Sequence, residues 1–341
     1  MTEDTTLEQL GAERYIGYLG LGDGDQVTFV YDEATEEVAN FLIIALGEAG
    51  AGAKFFKMED LGQRPLEEFP DEVSEAMGES QASIFIGTSH SEGDELNGFR
   101  MPMIMRMKEL GLRHGHSPGM SLDLLRMGMT APVDELSAFT DRVAEIVEQS
   151  KVCTVTTELG TNLEVEFHPD WKWKKDAGLV KPGIMQNLPC GEVFTTPLRI
   201  KGTMVADGSM GDKWGKIEHP ITMKIEDSRV TEISCEDAQL VEELWEYFKR
   251  GENGDRVGEF ALATNLWIRR VLIGNLLQDE KADLHIAFGH PYDDDTGCDW
   301  QCDSGHLDFL VPNATVTVDN FEGPLIADGE YAPMLLPEEF L

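Results

Sequence analysis

Basic residues are scarce in this chain. Lys and Arg number 27 against 64 Asp and Glu in 341 residues, for a formal net charge of −37. That scarcity disfavours nucleic-acid binding, because phosphate contacts need clustered Lys and Arg. The one basic knot, Trp171-Lys172-Trp173-Lys174-Lys175, is short and reads as a turn or a site wall. Cysteine is sparse as well. Cys153, Cys190, Cys235, Cys298 and Cys302 are odd in number and scattered, which speaks for free thiols rather than a disulfide framework. Cys298 and Cys302 have a spacing that could offer two thiolates to zinc, but no second pair follows them. Long apolar runs are missing: the longest, 41–46, is far too short to span a bilayer. A cationic, apolar, cleavable leader is missing too. The expectation is a cytoplasmic protein without a membrane partner, in which the Asn313-Ala314-Thr315 sequon is accidental.

What the chain does have is apolar mass and negative charge. Hydrophobic residues make up 41%, enough for a sizeable core. A charge of −37 repels itself unless salt screens it, so the acidity reads as the hydrated surface of a protein from a high-salt cell. The length suits two domains of about 150 residues each.

The first half has the texture of a parallel α/β sheet. Residues 1–20 read as a short helix and 25–31 as an alternating strand. Asp32 and Thr35 are placed to cap a helix over 34–49, which Gly50 and Gly52 end, and 53–57 is a second strand. Such a βαβ unit implies parallel strands. A buried strand follows at 82–87. The region 94–110, with Met101, Met103, Met105 and Met107, reads as a helix whose methionines are adaptable core. An acidic amphipathic helix covers 132–150, its apolar positions including Leu136, Phe139, Val143 and Ile146. Gly20, Gly22 and Gly24 precede their strand, whereas a dinucleotide-binding fingerprint must follow one.

From 151 short strands dominate, at 152–156, 163–167, 221–225 and 230–234. Helices are expected at 236–250 and 264–278, with further strands at 257–263, 283–288, 306–311 and 314–318. No internal repeat is evident. The expected fold class is α/β: an N-terminal parallel-sheet α/β domain over 1–149 and a C-terminal α+β metal-binding domain over 150–341.

Chemistry concentrates in the second half. His306 and Asp308 stand two apart on a strand, so both side chains share a face. Composition alone yields roughly one or two such His-x-acid triplets by chance, and His168-Pro169-Asp170 is another. His285 lies in an apolar strand, where the ordinary reading is a satisfied core histidine. Glu259 lies in a strand that should be buried, and a buried carboxylate must be paired, protonated or metal-bound. Glu192 follows a Pro-containing turn, a kind of position that carries function disproportionately. Tyr292 adds a phenol. Carboxylate and imidazole together suit Zn, Mn, Co or Fe(II).

Together these segments resemble the M29-type metallo-aminopeptidases, the aminopeptidase T family. Asn187-Leu-Pro-Cys-Gly-Glu192-Val-Phe-Thr-Thr-Pro197 is similar to their metal-binding segment, and Val257-Gly-Glu259 to their second carboxylate motif. His285-Ile-Ala-Phe-Gly289 with Tyr292 is similar to their His and Tyr pair, and His306-Leu-Asp308 to their terminal His-x-Asp. Leu159-Gly-Thr-Asn-Leu163 also looks like a family hallmark. The resemblance is sharpest over about 150–330. It implies that Glu192, Glu259, His285, His306 and Asp308 hold divalent metal ions, two of Zn, Co or Mn. It implies that Tyr292 assists catalysis near the reacting carbonyl, and that a homodimer acts on small peptides. Glu259 is the glutamate we expect to relay a proton to the leaving amine. The segment between His285 and His306 is shorter than in the family, and its stretch 293–302 has an unusual content. The same scaffold resembles the 2,5-dihydroxypyridine 5,6-dioxygenases, in which one Fe(II) cleaves an aromatic ring. There His285, His306 and Asp308 could supply a 2-His-1-carboxylate set. A non-catalytic metal-binding protein is the third reading.

Overall fold

The computed structural model describes residues 5–88, 95–211, 213–303 and 305–341. The chain forms two compact units, one of residues 1–136 with 176–190 and one of 137–175 with 191–341. This division differs from a single cut between 149 and 150, for two physical reasons. Strand Met185–Asn187 pairs in parallel with Arg113–His116 and so extends the sheet of the first unit. Phe139, Val143 and Val147 of helix Val133–Val147 belong to the core of the second.

The first unit holds a five-stranded parallel sheet. Its order is Gly52–Lys57, Gln26–Tyr31, Ala82–Phe85, Arg113–His116 and Met185–Asn187. Ala82–Phe85 is buried at every position, as strands of a parallel sheet covered on both faces are. Asp32 accepts a hydrogen bond from the Thr35 amide and caps a 3-10 turn that leads into helix Glu36–Glu48. Residue 94 of the expected Met-rich helix lies outside the described residues. The rest begins as a π-helical turn, Leu96–Arg100, and continues as helix Met101–Leu110. Met103 and Met107 pack with Phe85 and Phe99 in one cluster, so this half of the methionine stripe is core.

The second unit holds two sheets that share one core. The first, eight-stranded and antiparallel, contains Val152–Thr156, Asn162–Glu166, Arg199–Ala206, Ile221–Glu226, Arg229–Ser234 and Thr315–Val318. The second contains Glu192–Thr195, Val257–Ala263, His285–Gly289 and His306–Leu310 as neighbours, all antiparallel. The helix expected at 264–278 does not form. A 3-10 turn, Leu266–Ile268, is followed by an irregular stretch and the short helix Leu276–Asp279. Arg269 and Arg270 adopt left-handed backbone conformations (φ 53° and 58°), which end a right-handed helix there. None of the five cysteines is in a disulfide. Among the described residues no helix is long and apolar enough to cross a membrane.

Candidate metal centre

Four neighbouring strands carry the five donor side chains that the sequence singles out. Glu192 pairs with Ala263, Glu259 with Ala287, Asp308 also with Ala287, and His306 with Gly289. Side chains on a strand alternate between faces. Cross-strand register therefore puts Glu192, Glu259, His285, His306 and Asp308 on a single face. Ala261, Ala263, Ala287 and Gly289 stand between them there, too small to fill the space. The opposite face carries Val193, Phe260, Leu262, Ile286, Phe288, Leu307 and Phe309, all in the core of the unit. A bulge at Gly258 shifts the register just before Glu259. A Cβ on Gly258 would lie 2.5 Å from the Gly289 carbonyl oxygen, so the close approach there requires glycine.

The five donors gather into two sets of three, Glu192 with Glu259 and His285, and Glu259 with His306 and Asp308. Within each set the donor atoms lie within 4.8 Å of one another, a spacing at which one cation can touch all three. Glu259 belongs to both. Its Oε1 is 3.5 Å from His285 Nε2 and its Oε2 is 3.1 Å from His306 Nε2. His285 Nε2 is also 3.4 Å from Glu192 Oε2, and His306 Nε2 is 3.2 Å from Asp308 Oδ1. His285, His306 and Asp308 do not form such a set among the described residues, and neither do Cys298 and Cys302. Those two thiols are buried against Trp300 and Trp171.

Orientation is fixed behind the donors. His306 Nδ1 donates to the His290 carbonyl oxygen at 2.9 Å, which turns Nε2 toward the carboxylates, where it holds a proton or, once that is displaced, offers its lone pair. Glu192 Oε2 and His285 Nδ1 are buried and make no hydrogen bond. An orphaned carboxylate oxygen aimed into a cluster of borderline-hard donors fits a divalent cation.

Two residues beside the cluster have no counterpart in the sequence reading. Lys281 is 1% exposed, and its Nζ donates to Glu192 Oε1 at 2.5 Å and to Glu280 Oε1 at 2.9 Å. The trace in the sequence is a lysine four residues ahead of His285, a placement too common to single out.

Charge explains the protonation of the cation-free cluster. Burial pushes the His285 imidazolium down, but the Glu259 hydrogen bond and the Glu192 charge outweigh it and carry the group up to about 9. His306 is raised well above its ordinary value although burial opposes it, through Tyr292, Asp308 and Glu259. For Glu259 burial acts upward, yet the two imidazoles hold its carboxyl well below the usual range. Burial lifts Glu280 to about 8 against the pull of Lys281, helped by Glu192 and Asp308. Three carboxylates, Glu192, Glu259 and Asp308, thus face His285, His306 and Lys281.

Tyr292 stands over the cluster, its ring centroid 4.8 Å from that of His306 and 5.6 Å from that of Phe194. Its backbone is left-handed, with φ 48°, which is strained for a bulky residue. A clamp holds it: Thr196 and Thr296 hydroxyls donate to the Pro291 carbonyl at 2.7 and 3.1 Å, and the Tyr292 amide donates to His290 Nδ1 at 3.1 Å. The His306 charge pulls the phenol down, but burial and the charges of Glu259 and Asp308 push it further up, so it stays a neutral donor.

A cavity of about 380 Å³ in the same unit is lined by Arg269, Arg270, Asp283, Tyr331 and Phe340. None of the five donors lines it, whereas Lys281 does, so this cavity is separate from the donor cluster. The chemistry of the donors is the better guide.

No curated protein matches the sequence. The fold is similar to AmpT from Thermus thermophilus, at 19% identity and a TM-score of 0.71 over 95% of this chain and 99% of that one. It is also similar to 2,5-dihydroxypyridine dioxygenase from Pseudomonas putida KT2440, at 14% identity and a TM-score of 0.69 over 98% of both chains. Likeness at such identities speaks to fold alone. A family profile, that of the thermophilic metalloproteases (M29), matches residues 126–320, more than half the chain and every donor described above. By that match the chain belongs to the M29 metalloprotease family.

Proposed function

We propose that the chain is a divalent-metal aminopeptidase-type hydrolase that removes N-terminal residues from small peptides. One observation carries the reading: two three-donor sets that share Glu259, with one of its oxygens in each. Glu192, Glu259 and His285 would hold one cation, and Glu259, His306 and Asp308 a second, of the Zn, Co or Mn type. A bound pair supplies Lewis acidity toward a carbonyl and makes a water acidic enough to attack near neutral pH. The chain's own residues do the rest. Glu259 spans the two sets and fixes their separation. With an oxygen in each it has none left for a substrate, so the donor role is better supported than the proton relay expected for it. Glu280 keeps a proton near neutral pH, which is what donation to a leaving amine requires. The Tyr292 hydroxyl, held neutral and clamped by its turn, is suited to donate to a developing oxyanion.

The single-iron dioxygenase reading has less support. It calls on His285, His306 and Asp308 as one set, and the observed sets divide them between two. The excess of acid over base supports a salt-adapted cytoplasmic protein, and the family resemblance supports a homodimer.

The test is elemental analysis of protein purified without added metal, paired with release of N-terminal residues from peptides in high salt. Two Zn, Co or Mn ions per chain, and chelator-sensitive release that Glu192→Ala and Asp308→Ala abolish, is the expected result. One iron per chain, or release that survives both substitutions, would overturn the assignment.

A further inference from the structure

The two donor sets are not equivalent in charge, and the cause is Lys281. Its Nζ sits 2.5 Å from Glu192 Oε1, while the other oxygen of that carboxylate, Oε2, faces His285 and Glu259. A cation in this set would share one carboxylate with an ammonium, one on each oxygen. The ammonium is kept from water: the side chain is 1% exposed, and Nζ also lies 2.9 Å from Glu280 Oε1. In the other set, among the described residues, Asp308 makes no ion pair with a lysine or arginine. Its Oδ1 lies 3.2 Å from Nε2 of the His306 imidazole, which a cation would take as a neutral ligand. Depth adds to the difference. The His306 side chain is 17% exposed against 2% for His285, so the set with His306 is the one nearer to water.

We infer that Lys281 makes the centre unequal. The Glu259–His306–Asp308 set takes the first cation and binds it tightly. The Glu192–Glu259–His285 set binds a second one weakly, because Lys281 already offsets the charge of Glu192 and holds it to a single free oxygen. The inference rests on the proposed metal reading and deepens it. Lys281 is a positioning residue, and it tunes how much cation the enzyme needs to be fully loaded. A buried ammonium is poorly imitated by a neutral side chain, whereas arginine keeps the charge and the donor.

The experiment titrates chelator-stripped full-length protein with Co²⁺ in high salt, followed by calorimetry and by the visible absorption of the bound ion. The wild type should show two steps, the second at least about tenfold weaker, or about 1.4 kcal/mol. Lys281→Met should strengthen the second step about tenfold or more and leave the first nearly unchanged, a gain that loss of a merely structural contact would not give. Lys281→Arg should retain the gap. Glu192→Gln, which keeps an acceptor for Lys281, should abolish the second step alone, and it serves if Lys281→Met does not fold. Two equal steps in the wild type, no gain in Lys281→Met, or loss of the tight step in Glu192→Gln would overturn the inference. Failure of the metal reading itself looks different: Glu259→Ala and Asp308→Ala would then bind Co²⁺ as the wild type does.

Discussion

Two pairs of histidines meet opposite fates in this molecule. In the first unit His114 accepts or donates at Ser83 Oγ (2.7 Å) and meets His116 at 3.2 Å, and His116 meets Arg100 at 3.0 Å. Burial, with the Arg100 charge behind it, drives His114 down to about 3 and His116 well below its usual value. In the second unit His285 is as deeply placed and His306 is partly exposed, yet both rise, because Glu192, Glu259 and Asp308 stand around them. Depth therefore does not decide what a buried imidazole is for; the sign of the surrounding charge does. The first pair is a neutral polar chain tied into a parallel sheet. The second is a basic pair inside an acidic cage, and cations can replace its protons.

The largest effect that can break this contrast is removal of the shared carboxylate. Glu259→Ala deletes a donor from both sets at once, so bound metal should vanish. Peptide turnover should fall well beyond the roughly 10- to 100-fold that loss of an outer partner costs. Asp308→Ala should abolish turnover and empty one set, while the other set still binds a cation. His114→Ala should lower stability and leave metal content untouched. Elemental analysis of the three proteins, with turnover measured in parallel, checks all of this. If Glu259→Ala keeps its metal, the two histidine pairs differ in charge but not in use.

Next in size is pH, where the two pairs should act with opposite signs. His285, raised to about 9 when cation-free, stabilises the fold below the ordinary value near 6.5. That contribution is lost as pH climbs through about 9. His114, lowered to about 3, is stable as a neutral ring above about 6.5, and its contribution is lost as pH falls from there toward 3. Within either window one group changes unfolding free energy by about 1.4 kcal/mol per pH unit. Urea unfolding of chelator-stripped protein in molar salt should therefore show a less pH-dependent alkaline limb in His285→Gln and a less pH-dependent acid limb in His114→Gln. Added cation should cancel the alkaline limb, because binding expels the imidazole protons. An alkaline limb unmoved by His285→Gln would refute the charge-cage account.

How much of this was legible in the sequence follows the same physics. The parallel sheet could be read from period and caps, because Asp32 and Gly50 act through local backbone geometry. The helix expected at 264–278 failed where Arg269 and Arg270 take left-handed conformations, which neither residue type signals. Strands 185–187 and 199–206 were missed because their pairing partners are remote in sequence, and the extra strand moved the boundary between the units. The donor residues could be named through the family resemblance; the two-residue period alone puts His306 and Asp308 on one face, and it recurs by chance at His168 and Asp170. That Glu259 would present one oxygen to each set depends on a bulge at Gly258 and on four strands in register. Lys281 stayed hidden because a lysine normally reaches water, and only tertiary burial turned it toward Glu192.

The smallest expected effect sharpens the contrast most, because it compares two identical-looking triplets. His168-Pro169-Asp170 carries the same His and Asp two residues apart as His306-Leu307-Asp308. Its His168 stacks on Trp171 with ring centroids 4.9 Å apart, and Nδ1 accepts the Asp170 amide at 3.1 Å, so it closes a turn. It belongs to neither donor set. His168→Ala should cost about 1 kcal/mol for one partly exposed hydrogen bond and leave Co²⁺ uptake and peptide turnover unchanged. His306→Ala, which is the same substitution in the same pattern, should remove the tight cation. Calorimetric titration of the two variants side by side decides the matter. Equal losses would mean that the pattern matters wherever it falls, whereas a loss confined to His306 means that the four-stranded face gives the pattern its chemistry.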